Sequence, residues 1–515
     1  MMDIFANLGR GFGTCLKIEW FNDPFFGLPI PIPINIFYCF LGALFGTLVG
    51  VLPGIGPLAT IAMLLPITFK LEPTGALIML AGIFYGAQYG GSTTAILVNL
   101  PGEASSVVTA IDGYQMARQG RAGAALATAA LASFFAGCIS TLVIAVAAPP
   151  LSRMALLFGP AEFAALMVLG LVAAVVLASG SIISSIGMVL VGMLLGLIGT
   201  DVTTGDQRFT FDLRQIHDGI DFVIVAMGLF GIAEVMSNLA DKQSRELPPT
   251  KIDSLMPTRD DVRQATPAAV RGTILGTLLG VLPGGGALVA SFASYSLEKR
   301  LATDPSRFGK GAIEGVAGPE AANNAGAQAS FIPLFSLGIP PNAVMALMVA
   351  AMTIHGITPG PKFLTEKPTL FWAMVASMWI GNLILVILNL PLVGIWVRLL
   401  KIPYAYLFPA ILVFCSVGVY TVNYRVFDVA LMAGFGVFGY VLRRIGCEPA
   451  PLILGLLLGS RLEEEFRRTL LLSDGSLLVF VQRPLAAGLL AVTVLLLVLM
   501  ALPNLRKSRE TVFRE

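Results

Sequence analysis

The sequence has little charge and few of the side chains that build metal or disulfide sites. Only 12% of its 515 residues are charged, about half of the usual share in a soluble domain, and 56% are hydrophobic. Two histidines exclude a histidine-rich metal centre, and five cysteines without a CxxC pair argue against a disulfide framework. The formal net charge is +2, so charge gives no reason to expect nucleic acid as a partner.

Apolar stretches long enough to cross a bilayer recur along the chain, for example at 122–148, 370–396 and 484–503. About 20 such residues span the ~30 Å hydrocarbon layer as a helix, and these runs lack the alternation of β-barrel strands. We therefore expect an all-α polytopic membrane protein with about 10–12 transmembrane segments. The acidic Asp3 and the absence of an early apolar run argue against a cleavable signal peptide.

The chain contains an internal repeat. Residues 46–58, "GTLVGVLPGIGPL", match 276–288, "GTLLGVLPGGGAL", at ten of thirteen positions and an offset of 230. A second proline break follows each copy, in "AILVNLPG" and "FSLGIPP". Duplicated halves of this kind are typical of transporters. The expected organisation is an N-terminal amphipathic segment, a first transmembrane repeat, a cytoplasmic loop, a second transmembrane repeat and a polar tail, at 1–33, 34–240, 241–271, 272–505 and 506–515.

Basic residues suggest how the halves lie in the membrane. The 241–271 segment holds six Lys or Arg, which predicts the cytoplasmic side. Counting apolar runs from that segment places Gln119 on the cytoplasmic side of the membrane and Lys362 on the opposite side, as expected for inverted halves, which cross the membrane in opposite orientations. The basic C-terminal tail argues against this count, so a parallel repeat is the alternative. The arms beside the second copy, 272–282 and 287–297, would each reach only about 16 Å, which predicts a re-entrant hairpin.

The proline and glycine breaks fall where an apolar helix should continue. Irregular backbone survives in hydrocarbon only when it is buried in protein or lines a wet cavity, and its exposed N–H and C=O groups attract ions. Two tips that meet near the bilayer centre would bring Ile55 close to Gly285; the alternative is a kink that only shapes packing. The residues expected to form these breaks are Pro53, Gly54, Gly56, Pro101, Gly102, Pro283, Gly284, Gly286, Gly338 and Pro340.

Neutral polar side chains cluster beside the breaks and could bind carboxylate oxygens or Na⁺. Each hydroxyl could instead bond to its own helix, so the prediction rests on the cluster. The expected substrate-binding residues are Ser92, Thr93, Thr94, Asn99, Asn324, Gln328 and Ser330. Among the acidic residues of the apolar runs, Glu103 and Glu320 border the breaks and are stronger functional candidates than Glu162 or Asp428.

Four stretches carry a family resemblance: "GTLVGVLPGIGPLAT", "YGGSTTAILVNLPGE", "DGYQMARQGRAGAAL" and "FIPLFSLGIPPN". With them, the chain resembles the large membrane subunit of the tripartite tricarboxylate transporters over about residues 1–505. The resemblance implies a multi-pass protein of the bacterial inner membrane, a small integral membrane partner subunit and a periplasmic solute-binding protein. It also implies uptake of citrate or other organic carboxylates, usually with Na⁺. One departure is Pro341, where the family pattern has glycine; its ring removes an N–H and argues against an anion-binding turn there.

Other functional classes have weaker support. A stand-alone ion-coupled carboxylate carrier without a binding protein is the main alternative, and coupling to H⁺ instead of Na⁺ stays open. An intramembrane enzyme is disfavoured because the sequence has no HExxH or GxSxG motif. A nucleotide-driven pump is disfavoured because it has no GxxxxGK[ST] loop. We expect no catalytic residues, no cofactor and no metal beyond Na⁺ as the coupling ion.

Overall fold

The structure is a computed structural model that describes most of the chain. The described residues are 2–22, 29–52, 56–99, 102–177, 181–201, 204–240, 255–282, 286–399 and 404–501. Among them the protein is almost entirely helical, with only two small two-stranded sheets. The all-α expectation is therefore confirmed.

The first half opens with a short helix and a hairpin that precede the first apolar helix. The hairpin pairs Ile18 with Pro33 in antiparallel register. The elements are α1 (Met2–Leu16), β1 (Ile18–Asn22), β2 (Pro29–Pro33), α2 (Ile34–Gly50), α3 (Pro57–Thr68), α4 (Pro73–Val98), α5 (Val107–Arg118) and α6 (Ala122–Ala155). A single 3₁₀ turn, Ala104–Ser106, lies between α4 and α5. Proline at the start of α3 and α4 suits the first helical turn, where an N–H would lack a partner anyway.

The middle of the chain contains two further apolar helices, a short exposed hairpin and one irregular span. These are α7 (Pro160–Leu177), α8 (Ile182–Gly196), β3 (Gly199–Thr200), β4 (Gln207–Arg208), α9 (Phe222–Ala226) and α10 (Ala233–Ala240). A π-helical segment over Met227–Ile232 joins α9 to α10, so that Phe222–Ala240 forms one continuous span. Such π-turns occur often at functional sites.

The second half repeats the order of the first and then extends it. Its elements are α11 (Arg259–Gly280), α12 (Gly286–Leu301), α13 (Glu314–Ala329), α14 (Phe331–Leu337), α15 (Ala343–Ile354), α16 (Phe363–Glu366), α17 (Pro368–Asn389), α18 (Val393–Leu399), α19 (Tyr404–Asn423), α20 (Val426–Arg444), α21 (Ala450–Leu472), α22 (Val479–Gln482) and α23 (Pro484–Ala501). Fully buried aromatic side chains from α14, α16 and α17 form the centre of the main core: Phe331, Phe335, Phe363 and Phe371.

Several helices have the length and composition to cross a membrane. Among the described residues, four reach at least 18 residues with high hydropathy: α6, the Phe222–Ala240 span, α17 and α20. Shorter apolar helices of 10–17 residues include Ile34–Gly50, Ile182–Gly196 and Pro484–Val498. The fold is that of a polytopic membrane protein, while the expected 10–12 crossings stay a prediction.

The repeat is visible in how the helices pack. Glycines of α2 contact α4, and the glycines 230 positions later in α11 contact α13. A Cβ atom added to Gly46 would lie 2.8 Å from the Cα of Ile83, and one added to Gly276 would lie 2.8 Å from the Cα of Ala322. Both backbones approach so closely that only glycine fits. The two halves therefore contain the same helix pair, built in the same way.

A helix in each half also ends in the same backbone conformation. Asn99 ends α4 in the left-handed conformation, with φ of 56°, and Gly338 ends α14 in the same way, with φ of 75°. Glycine adopts this conformation freely, and Asn tolerates it better than most residues do. Each terminus is followed by a further short turn and then by a 12-residue helix, α5 or α15.

Two expectations about segments differ from the structure. The predicted 241–271 loop includes the start of α11, which begins at Arg259 because Thr258 and Asp261 form a capping box. The first arm of the predicted hairpin is therefore a 22-residue helix rather than an 11-residue one. Its first half is polar, which is why the apolar pattern alone placed its beginning too late. Residues 241–254 and the 506–515 tail lie outside the described residues.

Candidate functional site

A cavity of about 300 Å³ lies between the two halves, and we call it the central cavity. The first half lines it with the start of α3, with Gln88 of α4 and with Glu103 and Ser105 of the second break. The second half lines it with the beginnings of α12, α15 and α21. Residues of both halves therefore line the same cavity.

The walls of the central cavity contain several helix N-termini. Gly56 precedes α3, α12 begins at Gly286, and Asn342 caps α15. The first N–H groups of a helix have no partner within that helix, and they carry the positive end of its dipole. At α15, the Asn342 side chain accepts a hydrogen bond from the Met345 N–H at 2.9 Å, while the two amides before Met345 are among the first of the helix, which have no intrahelical acceptor. Such an arrangement can bind an anion.

Polar side chains supplement these backbone groups. Gln88 is 1% exposed, and its side-chain oxygen has no hydrogen-bond partner among the described residues although it lines the cavity. Arg443 also lines the cavity and forms an ion pair with Glu234 from α10. A ligand that enters would therefore meet the unpartnered side-chain oxygen of Gln88 and the Arg443 guanidinium, which is already paired with Glu234.

Glu103 places a negative charge in the same cavity. Its Oε1 accepts hydrogen bonds from the Ser105 hydroxyl at 2.6 Å and from the Asn323 amide at 2.9 Å. None of the ion pairs formed by the described residues involves it. Because Asn323 belongs to α13, this carboxylate also connects the second break of the first half to the second half.

A second carboxylate, Glu320, is buried and is not among the residues that line the central cavity. It is 1% exposed, and its Oε1 accepts hydrogen bonds from the Ser92 hydroxyl at 2.7 Å and the Thr109 hydroxyl at 2.5 Å. Its Oε2 accepts a longer bond, 3.2 Å, from Ser133 of α6. Asn324 in turn donates to the Ser133 oxygen at 2.7 Å, which directs the serine proton toward Glu320.

The structure distributes the predicted polar residues unevenly. Ser92 and Asn324 belong to the Glu320 network, whereas the hydroxyls of Thr93, Thr94 and Ser330 bond to carbonyls of their own helices. The other two predicted residues lie apart from that network. Asn99 is exposed at the end of α4. Gln328 is buried, and its side-chain oxygen has no hydrogen-bond partner within the described part of the chain.

The predicted break residues are only partly described. Pro53, Gly54, Pro101, Pro283 and Gly284 lie outside the described residues, as does the predicted contact between Ile55 and Gly285. Gly56 and Gly286 line the central cavity. A Cβ atom on Gly56 would lie 4.0 Å from the Gly102 oxygen, so the two breaks of the first half are neighbours.

The second break of the second half is arranged differently. Gly338 packs against the backbone of Pro359 and Gly360, and neither Gly338 nor the buried Pro340 is among the residues that line the cavity. Near this break, the central cavity is lined by the start of α15, which begins two residues beyond Pro341.

Acidic residues that were weaker candidates have structural partners. Glu162 pairs with Arg483 at 3.0 Å, and Asp428 pairs with Arg425 at 3.4 Å. Asp112 accepts three hydrogen bonds, from the Gly311 and Ala312 amides and from the Tyr295 hydroxyl, and so joins α5 to the segment before α13. Within the described ranges, no group of three His, Cys, Asp or Glu residues is arranged to hold a metal ion.

Sequence reasoning missed several residues of the site. Gln88, Thr109, Ser133 and Arg443 lie far from the repeated motif or at one end of it. Gln88 could have been found, because it lies one helical turn before Ser92. The others come from α5, α6 and α20, and no spacing in the sequence predicts that these helices meet.

Comparison with known proteins gives close relatives. The chain is 57% identical over all 515 residues to a full-length protein of Agrobacterium vitis described as an uncharacterized 52.8 kDa protein in the TAR-I ttuC' 3' region. It is also 59% identical over 240 residues to an uncharacterized protein of the TAR-II ttuC' 3' region of the same organism; this match covers 47% of the chain and 99% of that relative. No solved structure matches the chain.

A family model settles the relationship. The model of the tripartite tricarboxylate transporter TctA family matches residues 36–454, which include both copies of the repeat and all the described residues that line the central cavity. The chain therefore belongs to the tripartite tricarboxylate transporter TctA family, a family of transporters rather than of enzymes.

Proposed function

We propose that this chain is the large permease subunit of a binding-protein-dependent secondary transporter that imports tricarboxylates or related organic acid anions with Na⁺. Its place would be the bacterial inner membrane, beside a small integral membrane subunit, and a periplasmic solute-binding protein would deliver the substrate. Membership of a tripartite transporter family supports these partners.

The observation that carries the proposal is the convergence of helix N-termini on the central cavity. The α3, α12 and α15 helices all begin there, from both halves of the chain. A carboxylate group accepts hydrogen bonds from such amides and is stabilised by the helix dipoles. Discontinuous helices that point their N-termini at an anionic substrate are typical of secondary transporters.

Glu103 supports coupling to a cation. Its carboxylate lines the same cavity and would repel an organic anion at short range. A Na⁺ ion bound between the Glu103 carboxylate and a carboxylate of the substrate would turn this repulsion into attraction, and oxygen ligands suit a hard cation. Anion and cation would then bind together, which is the requirement for symport.

The long helix α6 supports inverted halves. At one end, the Arg121 guanidinium next to α6 pairs with Asp261; near the other end, the Ser152 hydroxyl donates to the Pro361 carbonyl. These two contacts lie about 46 Å apart along a straight helix at 1.5 Å per residue. Arg121 follows α5 and Pro361 follows α15, its counterpart in the second half. The ends of these two helices thus lie near opposite ends of α6, which supports the proposal that the halves are inverted.

Transport in liposomes tests the proposal. The complex is reconstituted with its small subunit and binding protein, and uptake of labelled citrate and other organic carboxylates is measured with an inward Na⁺ gradient, an inward proton gradient or neither. We expect uptake only with the Na⁺ gradient and only with the binding protein present. Uptake that follows the proton gradient and ignores Na⁺ would refute Na⁺ coupling. Full uptake without the binding protein would favour a stand-alone carrier.

A further inference from the structure

A small cavity adjoins Glu320, and none of its lining residues lines the central cavity. Its volume is about 10 Å³, close to that needed for a single water molecule. We call it the Glu320 pocket; its polar lining consists of Tyr89, Ser92, Thr93, Ser133, Glu320 and Asn389. We propose that the Glu320 pocket binds one Na⁺ ion, and that it does so without substrate.

The partners of Glu320 suit an ionised carboxylate. The hydroxyls of Ser92, Thr109 and Ser133 lie within hydrogen-bond distance of it and can all donate, whereas an ionised carboxylate can only accept. The Ser133 oxygen also accepts a hydrogen bond from the Asn324 amide, which leaves the Ser133 proton for Glu320. In the described part of the chain, no Lys, Arg or His forms an ion pair with Glu320. A buried charge at membrane depth needs a counter-charge.

Two oxygen atoms of the pocket lining have no hydrogen-bond partner. The Tyr89 hydroxyl and the Asn389 side-chain oxygen are unpartnered among the described residues, and each residue is only 4% exposed. The Asn389 amide nitrogen is occupied, because it donates to the Leu385 carbonyl at 2.9 Å. Unpartnered buried polar atoms are rare in native proteins and call for an explanation. A cation that accepts these lone pairs supplies one.

The ligand chemistry favours Na⁺. The pocket offers a carboxylate, an amide oxygen and hydroxyl oxygens, which are hard ligands, and it contains no sulfur or imidazole. Its size admits a single small ion. Since Ser133 comes from α6, Asn389 from α17, and Ser92 and Glu320 from opposite halves, a bound ion would hold four helices together.

The inference rests on the proposed function only for the identity of the coupling ion. The Glu320 pocket would bind Na⁺ before the substrate and order the wall of the central cavity. A second Na⁺, between Glu103 and the substrate, would bind only together with the anion. Binding of Na⁺ alone can therefore be measured apart from transport.

The experiment follows thermal unfolding of the purified full-length protein in nanodiscs without substrate. NaCl is titrated at constant ionic strength against choline chloride, and KCl serves as the comparison ion. We expect the unfolding midpoint to rise with Na⁺ and not with K⁺, because an ion that binds the folded state stabilises it. Glu320→Gln should raise the half-saturating Na⁺ concentration about tenfold or more, since it removes the charged ligand. Tyr89→Phe and Asn389→Leu should each raise it about 2–10-fold.

Matched controls exist on the same helices. Tyr85 on α4 and Asn382 on α17 are also buried, and their side-chain oxygens also have no partner among the described residues, but they do not line the Glu320 pocket. Tyr85→Phe and Asn382→Leu should leave the Na⁺ response unchanged. If Glu320→Gln does not fold, Tyr89→Phe still decides the matter, because it removes an oxygen that has no hydrogen bond.

Two results would overturn the inference. One is a wild-type protein that Na⁺ stabilises no more than K⁺ does. The other is a Na⁺ response of Tyr89→Phe and Asn389→Leu that equals that of their controls. Na⁺-driven uptake without a Na⁺ response in substrate-free protein would overturn the pocket and leave the transport proposal standing. A normal Na⁺ response without any carboxylate uptake would overturn the transport proposal and leave the Na⁺ site in the Glu320 pocket standing.

Discussion

The Ser92 hydroxyl of α4 lies 2.7 Å from a carboxylate oxygen of Glu320 in α13, although the two residues are 228 positions apart. This hydrogen bond joins the first half of the chain to the second. Both side chains are buried. The stability of the assembled halves and the geometry of the site therefore depend on the same contact.

Replacing Ser92 with alanine should destabilise the protein more than a similar change nearby. The substitution leaves a buried carboxylate short of one donor, a loss that costs about 1–3 kcal/mol. Thr94→Val is the control, because the Thr94 hydroxyl bonds only to carbonyls of its own helix. Thermal unfolding in nanodiscs measures both. Equal destabilisation would mean that the bond between the halves contributes nothing specific.

The ion pair in the central cavity should affect substrate affinity. Arg443→Gln leaves the Glu234 carboxylate unpaired beside an anionic substrate, so uptake at low substrate concentration should fall about tenfold or more. The double variant Glu234→Gln/Arg443→Gln should recover part of that loss, because no unpaired charge is left. Arg483→Gln breaks the pair with Glu162 away from the cavity and serves as the control. A double variant no better than Arg443→Gln would show that the guanidinium acts by itself.

The repeated glycines should not tolerate a methyl group. Gly→Ala inside a helix normally stabilises a protein by about 0.5–1 kcal/mol. At Gly46 and Gly276 the added carbon would press on the facing backbone, and overpacking of this kind costs about 1–3 kcal/mol. Gly434→Ala, with no atom within 4 Å of the added carbon, is the control. Unfolding midpoints that fall for Gly46→Ala and Gly276→Ala but not for the control would agree with this reading; unchanged midpoints would contradict it.

Labelling from one side of the membrane should separate Gln119 from Lys362. Both residues are exposed, and the contacts of α6 place them near opposite ends of that helix. In a cysteine-free background, an impermeant thiol reagent applied to intact cells should label cysteine at 362 and reach cysteine at 119 only after permeabilisation. Labelling of both sites from one side would require parallel halves.

Much of the fold follows from patterns that lie within single segments. Apolar runs predicted α6, α17 and α23, and the motif at 46–58 and 276–288 predicted the duplication that appears as two identical helix pairs. The start of α11 was missed because capping by Thr258, not hydropathy, determines it. The π-turn at Met227–Ile232 has no such local signal.

The candidate site, too, was only partly predictable from the sequence. The sequence alone determined that breaks recur in register, that Glu103 and Glu320 lie beside them, and that the polar groups are neutral oxygens and amides; these are properties of neighbouring residues. Only the tertiary structure decided that Ser133 of α6 contacts Glu320, that Asn389 of α17 lines the Glu320 pocket, and that Arg443 reaches the central cavity. The physical reason is that a helix's own periodicity fixes which residues share a face, whereas the partner of that face depends on how all the helices pack together.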